Sequence, residues 1–407
     1  MTAPVRRSDF PILSRRIDGR RLVYLDSAAT ALKPKAVLAA ERDYYTRIGA
    51  NVGRGRHALG EEASEALEFA RKRVARFIGG EPPGVVFVRN TTEAINVVSE
   101  GLDLQPDDVV LLASADEHHA NVVPWLRRAR VVTVRNRDWP GQPCDLEQLE
   151  AAIARHRPRV VAVGHASNVT GLIQPAGAIC AAARRAGAIS IVDAAQSVPH
   201  LPVDMRTMGC DFLAFSGHKV MSPTGIGVLY GRPDSLAALR PLIAGGGAVD
   251  RVTLDGFTLK RPPYAFEAGT PHIAGAIGLA AALDYVERIG FDALRAHETL
   301  LAARLERVLR DIPRTRLLMA DGSSERLAIG TLVLDAGSTH PDVVAQALSD
   351  GQAIMVRSGF QCAHPLFDRI GAASGGLRAS AYGYTTARDI DTFGAAVRDI
   401  VGRLLGG

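Results

Sequence analysis

The chain has 407 residues, 47% hydrophobic and 22% charged, an ordinary globular composition with length enough for two domains and a large core, which excludes a disordered chain. The formal net charge of +5 comes from arginines scattered along the sequence rather than from a basic block, so it reads as solvated surface charge and argues against nucleic-acid binding, although such a field suits an anionic ligand. The four cysteines form no CxxC pair and no His/Cys cluster of zinc-like spacing, residues 1–16 lack a continuous apolar core, and no apolar run approaches the ~18 residues of a membrane span. A soluble cytoplasmic protein without disulfides, structural metal or membrane contact is expected.

In chain order, residues 61–78 have helical apolar spacing and stop at Gly79-Gly80. From 85 to 231, short β-rich runs alternate with helical stretches. The runs are 85–88, 109–113, 131–134, 160–163, 189–192, 212–215 and 226–230. Between them, 146–154 and 175–186 read as helices, with Asp145 and Pro175 as start signals. The alternation predicts an α/β fold, a mainly parallel sheet flanked by helices. Residues 273–310 form a long helical stretch with a break near Gly290 that leads to a second domain. There 331–334, 353–356 and 377–381 are predicted strands of a smaller α/β layer, closed by a helix over 387–405.

The polar residues that follow these apolar runs sit where parallel sheets bind ligands. Lys219, in Ser216-Gly217-His218-Lys219, ends a buried run in a chain of only five lysines. A desolvated amine of this kind forms a Schiff base with an aldehyde cofactor such as pyridoxal phosphate; a salt-bridging lysine is the alternative. Ser216 and His218 are donors suited to a phosphate, and Gly217 allows close backbone approach. Lys33, Lys35, Lys72 and Lys260 read as surface. Asp193 ends another buried run, where it either protonates a pyridine nitrogen or caps a helix, and Gln196 follows it toward the ring hydroxyl. Thr91 and Thr92 open a helix, as a phosphate cradle or as plain N-capping. His118 can stack on an aromatic cofactor and move protons, and adjacent histidines with no cysteine nearby do not suit zinc. Cys362, in a Gly- and Pro-punctuated loop with Arg357 and His364, is a candidate thiolate nucleophile, while Cys180 and Cys210 read as inert core.

These residues stand in motifs running from Tyr24-Leu25-Asp26-Ser27-Ala28-Ala29 through Arg89-Asn90-Thr91-Thr92, Glu117-His118-His119-Ala120-Asn121, Ser167-Asn168-Val169-Thr170-Gly171, Val192-Asp193-Ala194-Ala195-Gln196 and Phe266-Glu267-Ala268-Gly269-Thr270-Pro271 to Arg378-Ala379-Ser380. Together they resemble the class V aminotransferase superfamily of fold-type I pyridoxal phosphate enzymes, and within it the group II cysteine desulfurases and selenocysteine lyases. The resemblance implies a seven-stranded sheet in a large cofactor domain, 22–287, and a small C-terminal domain, 288–407, that carries the cysteine loop. It also implies that the N-terminal segment, 1–21, packs on the small domain.

By that resemblance Lys219 holds the cofactor aldehyde, His118 stacks on the ring, Asp193 pairs with its nitrogen, and Gln196 contacts its oxygen. Thr91, Thr92, Ser216 and His218 bind the phosphate, while Thr270 reaches the phosphate of a partner subunit in a homodimer. Ala28, Asn168, Arg357 and Arg378 belong to the substrate side. The implied reaction converts L-cysteine, or L-selenocysteine, to L-alanine. Sulfur is held as a persulfide on Cys362 and passed to an acceptor protein in cluster assembly or another sulfur pathway. Three departures stand out: Gly53 ahead of Arg54-Gly55 where a histidine is usual, Phe360-Gln361 ahead of the nucleophile where a histidine is usual, and Thr385 in place of asparagine. They leave two alternatives in view, a class V aminotransferase, epimerase or C–S lyase of specialised metabolism, and a catalytically silent scaffold.

Overall fold

The computed structural model describes residues 4–53, 55–134, 140–322, 324–335 and 339–405; Arg54 lies outside them. Seven strands form the central sheet: β1 (Val85–Val88), β2 (Val109–Leu112), β3 (Arg130–Thr133), β4 (Val160–Gly164), β5 (Ile189–Asp193), β6 (Phe212–Ser216) and β7 (Gly227–Gly231). Their order is β1-β7-β6-β5-β4-β2-β3, with β7 antiparallel to both neighbours and the other pairs parallel. β7 reverses for a simple reason. The connection 217–226 is shorter than the dozen or so residues that a parallel return needs.

Buried β-branched runs require cover on both faces, and the chain supplies it. On one face pack α2 (Ala58–Phe77), α4 (Leu146–His156), α5 (Ala176–Arg185) and α6 (Ile273–Ile289); α1 (Lys35–Asp43) lies against α6. On the other lie α3 (Thr91–Gly101) and the buried Trp125. Gly290, at φ 79°, separates α6 from α7 (Phe291–Arg310), as the sequence pattern anticipates.

The second sheet is antiparallel, in the order β8-β9-β11-β10: β8 (Thr315–Leu318), β9 (Ile329–Leu334), β10 (Arg357–Gly359) and β11 (Gly376–Ser380). Helices α7, α8 (Pro341–Gln352) and α9 (Ala387–Leu405) cover it with their own apolar core. The run read as a strand over 353–356 does not join this sheet. Ile354–Met355 pairs in parallel with Val23–Tyr24, because the N-terminal chain crosses the seam there and brings Asp26 beside Ser380.

The charged stretch around Lys72 also differs from a plain surface helix. Lys72 is exposed, but Arg71 is 1% exposed and pairs with Glu267 through Nη1 at 2.7 Å and Nη2 at 2.9 Å. Glu267 also accepts the Phe87 N–H at 2.7 Å, and Arg71 donates to the Val85 carbonyl at 2.8 Å. One ion pair thus joins α2, β1 and the loop that leads to Thr270. Arg71→Met is expected to lower stability in urea by about 3 kcal/mol, since it strands a buried carboxylate. Asp399→Ala, at the exposed Arg403 pair, is expected to change it by less than about 1 kcal/mol; equal effects would remove the structural role of Arg71.

Candidate active site

A cavity of about 540 Å³ opens at the carboxyl ends of the strands. β1 delivers Thr91 and Thr92 to it, β2 His118, β4 Asn168, β5 Asp193, and β6 Ser216, His218 and Lys219; the N-terminal chain adds Ala28, and the second sheet adds Arg357, Cys362 and Arg378. Gln196 lines a deeper extension shared with His118, Asp193 and Lys219. The strands of the central sheet gather residues from Asn90 to Lys219 because they present the same ends, and the N-terminal chain and the second sheet close over them.

At one end the first turn of α3 faces the cavity. The Asn90 side chain caps it by accepting the Glu93 N–H at 3.0 Å, and Thr91 donates its N–H to Ser216 Oγ at 2.9 Å. Helix amides, three hydroxyls and His218 make this the anion-binding end. Gly217 serves packing here. A Cβ would lie 2.9 Å from both Ile226 O and Ser222 Oγ, so the glycine admits the return of β7 rather than a ligand.

Further in, burial governs the titrating groups. It pushes the Lys219 pKa down, opposed by Asp193 and assisted by Arg378. It pushes Asp193 up, opposed by Lys219 and by the Ala195 N–H that Asp193 accepts at 2.9 Å. His118 is lowered to about 3, by burial first and then by Lys219, so its ring is neutral. Its Nδ1 accepts the Ala120 N–H at 3.0 Å, which leaves the proton on Nε2. Beneath it the Glu117 carboxyl is buried and pushed up to about 8, held by Asn121 and the Gly164 N–H at 2.8 Å each.

These residues fit pyridoxal phosphate. The anion end, the neutral imidazole face, the buried Asp193 and the desolvated Lys219 amine match phosphate, ring, ring nitrogen and aldehyde. Gln196 donates Nε2–H to the Ala28 carbonyl at 2.8 Å, while its Oε1 is buried with no partner among the described residues. A ring hydroxyl would supply the missing donor.

On the substrate side, Asp26 accepts from Arg357 Nη2 at 2.8 Å and from Arg378 Nη2 at 3.2 Å. One carboxylate cannot neutralise two guanidiniums, so a net positive charge remains for a second carboxylate. Arg378 also donates to the Asn168 carbonyl at 3.0 Å, and Asn168 Nδ2 to the Gln361 carbonyl at 2.7 Å. Gln361 and Cys362 have φ of 50° and 57°, a left-handed pair that turns the thiol outward; Cys362 is exposed.

Thr270 lies outside this cavity, exposed beside Asn51 in a separate cleft with Gly53. The surface reading of Lys33 needs correction. Its Nζ donates to Thr30 Oγ1 at 3.0 Å and to the Ala31 and His218 carbonyls at 2.5 and 3.3 Å, and burial lowers its pKa to about 8. Thr385 is buried and bonded to the Tyr382 N–H at 3.1 Å, outside the cavity. Asp26 and Glu117 stood in the quoted motifs without a role, and the one signal for them was a carboxylate following an apolar run.

Three imidazoles, His118, His165 and His218, are lowered from 6.5 to about 3, 4 and 4, chiefly by burial. Below 6.5 the unfolded chain gains protons that the folded chain refuses, so each makes stability fall as the medium is acidified toward about pH 4. Glu117 acts in the opposite sense, because the folded state keeps a proton that the unfolded chain loses above 4.5. His119, also lowered, adds to the loss and Asp193, also raised, to the opposing sense, so the imidazoles leave a net loss. The urea midpoint of the cofactor-free protein is expected to fall between about pH 7 and about pH 5, and more steeply for Glu117→Gln; a level midpoint contradicts neutral buried imidazoles.

The family model Aminotransferase class-V matches residues 23–393. The chain is 43% identical to the cysteine desulfurase of Dickeya dadantii, over 98% of this chain and 97% of that protein. Among solved structures, the apo cysteine desulfurase of Thermococcus onnurineus NA1 superposes with a TM-score of 0.90 at 36% identity, covering 98% of both chains. The S-sulfonic acid form of a cysteine desulfurase from Escherichia coli gives 0.87 at 36% identity, again with 98% coverage of both. The family match spans every residue placed in the cavity and the cysteine loop with it, and the chain belongs to the class-V aminotransferase family.

Proposed function

We infer that this protein is a pyridoxal-phosphate-dependent cysteine desulfurase, which converts L-cysteine to L-alanine and takes the sulfur on Cys362. The observation that carries the reading is that Cys362, the Arg357–Arg378 pair and Lys219 line one cavity. A thiol, a carboxylate site and a cofactor anchor around a common space are what sulfur removal from an amino acid requires. No observation favours a silent scaffold or an aminotransferase over this arrangement.

The bound cofactor supplies an electron sink beside the amino group of the substrate. Thr91, Thr92, Ser216 and His218 would hold its phosphate, and Asp193 would keep the ring nitrogen protonated. The flat, neutral His118 ring would stack against it, and Lys219 would hold its aldehyde. Arg378, buried and fixed by Asp26 and Asn168, orients the substrate carboxylate with Arg357. Lys219 Nζ, freed when the substrate amine takes its place and with its pKa lowered, takes the Cα proton. Cys362 Sγ, as thiolate, forms a bond to the substrate sulfur as the Cβ–S bond breaks and leaves its electron pair to carbon; a proton delivered to Cβ and return of the Cα proton from Lys219 complete alanine.

Further parts of the reading rest on placement. Thr270, exposed on a cleft apart from its own cavity, supports a homodimer in which it reaches the partner's phosphate. The exposed Val252, Leu254 and Phe257 of the nearby hairpin are apolar enough to be covered by that partner. Exposure of Cys362 supports transfer of sulfur to an acceptor protein, with L-selenocysteine as a second substrate. The thiols, all unpaired, support a cytoplasmic setting. Separate apolar cores support a cofactor domain 22–287 and a small domain 288–407, and the contacts of Arg7 with Asp389 and Phe10 with Tyr384 support packing of the segment 1–21 on the small domain.

Purified protein given L-cysteine is expected to release alanine and, with a reductant, sulfide. Cys362→Ala should retain the visible absorbance of the lysine-bound cofactor and lose alanine formation by about two orders of magnitude or more. Equal alanine yields from the two proteins would remove Cys362 from the reaction.

A further inference from the structure

The histidine usual ahead of the nucleophile is missing here, yet the cysteine loop is not without imidazoles. Phe360, His364 and His119 form a continuous stack. The Phe360 and His364 rings lie 4.2 Å apart at 17°, and the His364 and His119 rings 4.9 Å apart at 19°. The backbone ties this stack to the cysteine loop: the His119 N–H donates to the Cys362 carbonyl at 2.8 Å, and the His364 N–H donates to His119 Nε2 at 3.2 Å.

That last bond settles the tautomers. A ring nitrogen that accepts an amide proton carries a lone pair, so neutral His119 has its own proton on Nδ1. His364 Nδ1 lies 3.2 Å from the same Nε2 atom, so it is the donor of that contact, and the free lone pair of His364 is on Nε2. Burial and the neighbouring His364 hold the His119 imidazole below its usual range, which suits an acceptor rather than a resident cation.

We propose that His364 Nε2 is the base that takes the proton from Cys362 Sγ, with His119 as the positioning residue that fixes its ring. His364 and Cys362 line the same cavity. The two residues at the expected positions cannot do this work. Phe360 has no exchangeable ring proton, and the Gln361 amide nitrogen is engaged by the Gly359 and Gly376 carbonyls at 2.9 and 3.2 Å. The step is a proton transfer alone: Sγ–H breaks and Nε2–H forms. The thiolate left behind faces the cations of Arg357 and Arg378, which share the carboxylate of Asp26 between them. The imidazolium shares its Nδ1 proton with His119 and lies against the Phe360 ring.

The inference rests on the reading of Cys362 as the sulfur-accepting thiol, but the thiol's proton equilibrium is measurable without substrate. The test is the pH dependence of iodoacetamide alkylation at Cys362, followed by mass spectrometry of its peptide in the cofactor-loaded protein. Near neutral pH, His364→Gln is expected to react about tenfold more slowly than wild type, with its profile displaced to higher pH, and His119→Gln to shift in the same direction by less. His364→Asn repeats the comparison with a shorter amide. Profiles that superimpose on wild type, in variants that keep the cofactor absorbance and melting temperature, would overturn the assignment. Alanine formation in the same preparations separates the two claims: its absence in wild type counts against the desulfurase, whereas the alkylation profile alone decides the role of His364.

Discussion

Asp26 accepts from Arg357 and from Arg378, which stand opposite each other across β10 and β11, so a single carboxylate fixes the register at which the second sheet meets the cofactor cavity. The arrangement joins three distant parts of the chain. The N-terminal crossing strand supplies the anion, the two antiparallel strands supply the cations, and Asn168 from the β4 rim completes the second guanidinium. Burying such a cluster is costly unless its hydrogen bonds are well made. Here both terminal nitrogens of Arg378 are bonded while its Nε is buried with no partner among the described residues, and the charge left uncompensated suits a carboxylate. The cysteine loop hangs on the same framework through the bond from Asn168 to the Gln361 carbonyl, so the arginine pair and the loop share one support.

The other half of the site depends on desolvation. The same dry strand ends that push the Lys219 amine toward its neutral form keep His118 unprotonated and raise Asp193 and Glu117. A neutral amine is the form able to bond to an aldehyde and to accept a proton, and a neutral ring stacks without placing a further cation beside Lys219. The opposing signs of these shifts follow from one cause. Low dielectric disfavours whichever form is charged, and the acids and bases therefore divide their roles without separate devices for each.

Much of this was legible in the sequence, because a parallel sheet writes itself as apolar runs, each followed by the polar residues of its rim. All seven runs became strands of the central sheet, and residues at the ends of five of them, β1, β2, β4, β5 and β6, entered the cavity. What escaped depended on long-range pairing. Arg357–Gly359 has no apolar pattern to mark it as a strand; it is one because β11 pairs with it. The pairing of Ile354–Met355 with Val23–Tyr24 is equally invisible in either segment alone. Lys33 was read from its proline-flanked setting as surface, yet its stem folds back over the loop that carries His218. The role of Thr270 lies on a cleft of its own, and composition gives no sign of what meets it. Phe360 and Gln361 looked like losses beside the nucleophile, whereas the chain places a different imidazole, four residues after Phe360, against the same loop.

The account turns on whether sulfur leaves the substrate as a covalent passenger of Cys362. The direct measurement is mass spectrometry of the protein after brief exposure to L-cysteine and trapping of its thiols with an alkylating agent. The account predicts a gain of one sulfur atom on the peptide that carries Cys362, with the peptides of the buried Cys144, Cys180 and Cys210 unchanged. Alanine formed in step with free sulfide, while the Cys362 peptide never gains sulfur, would contradict it.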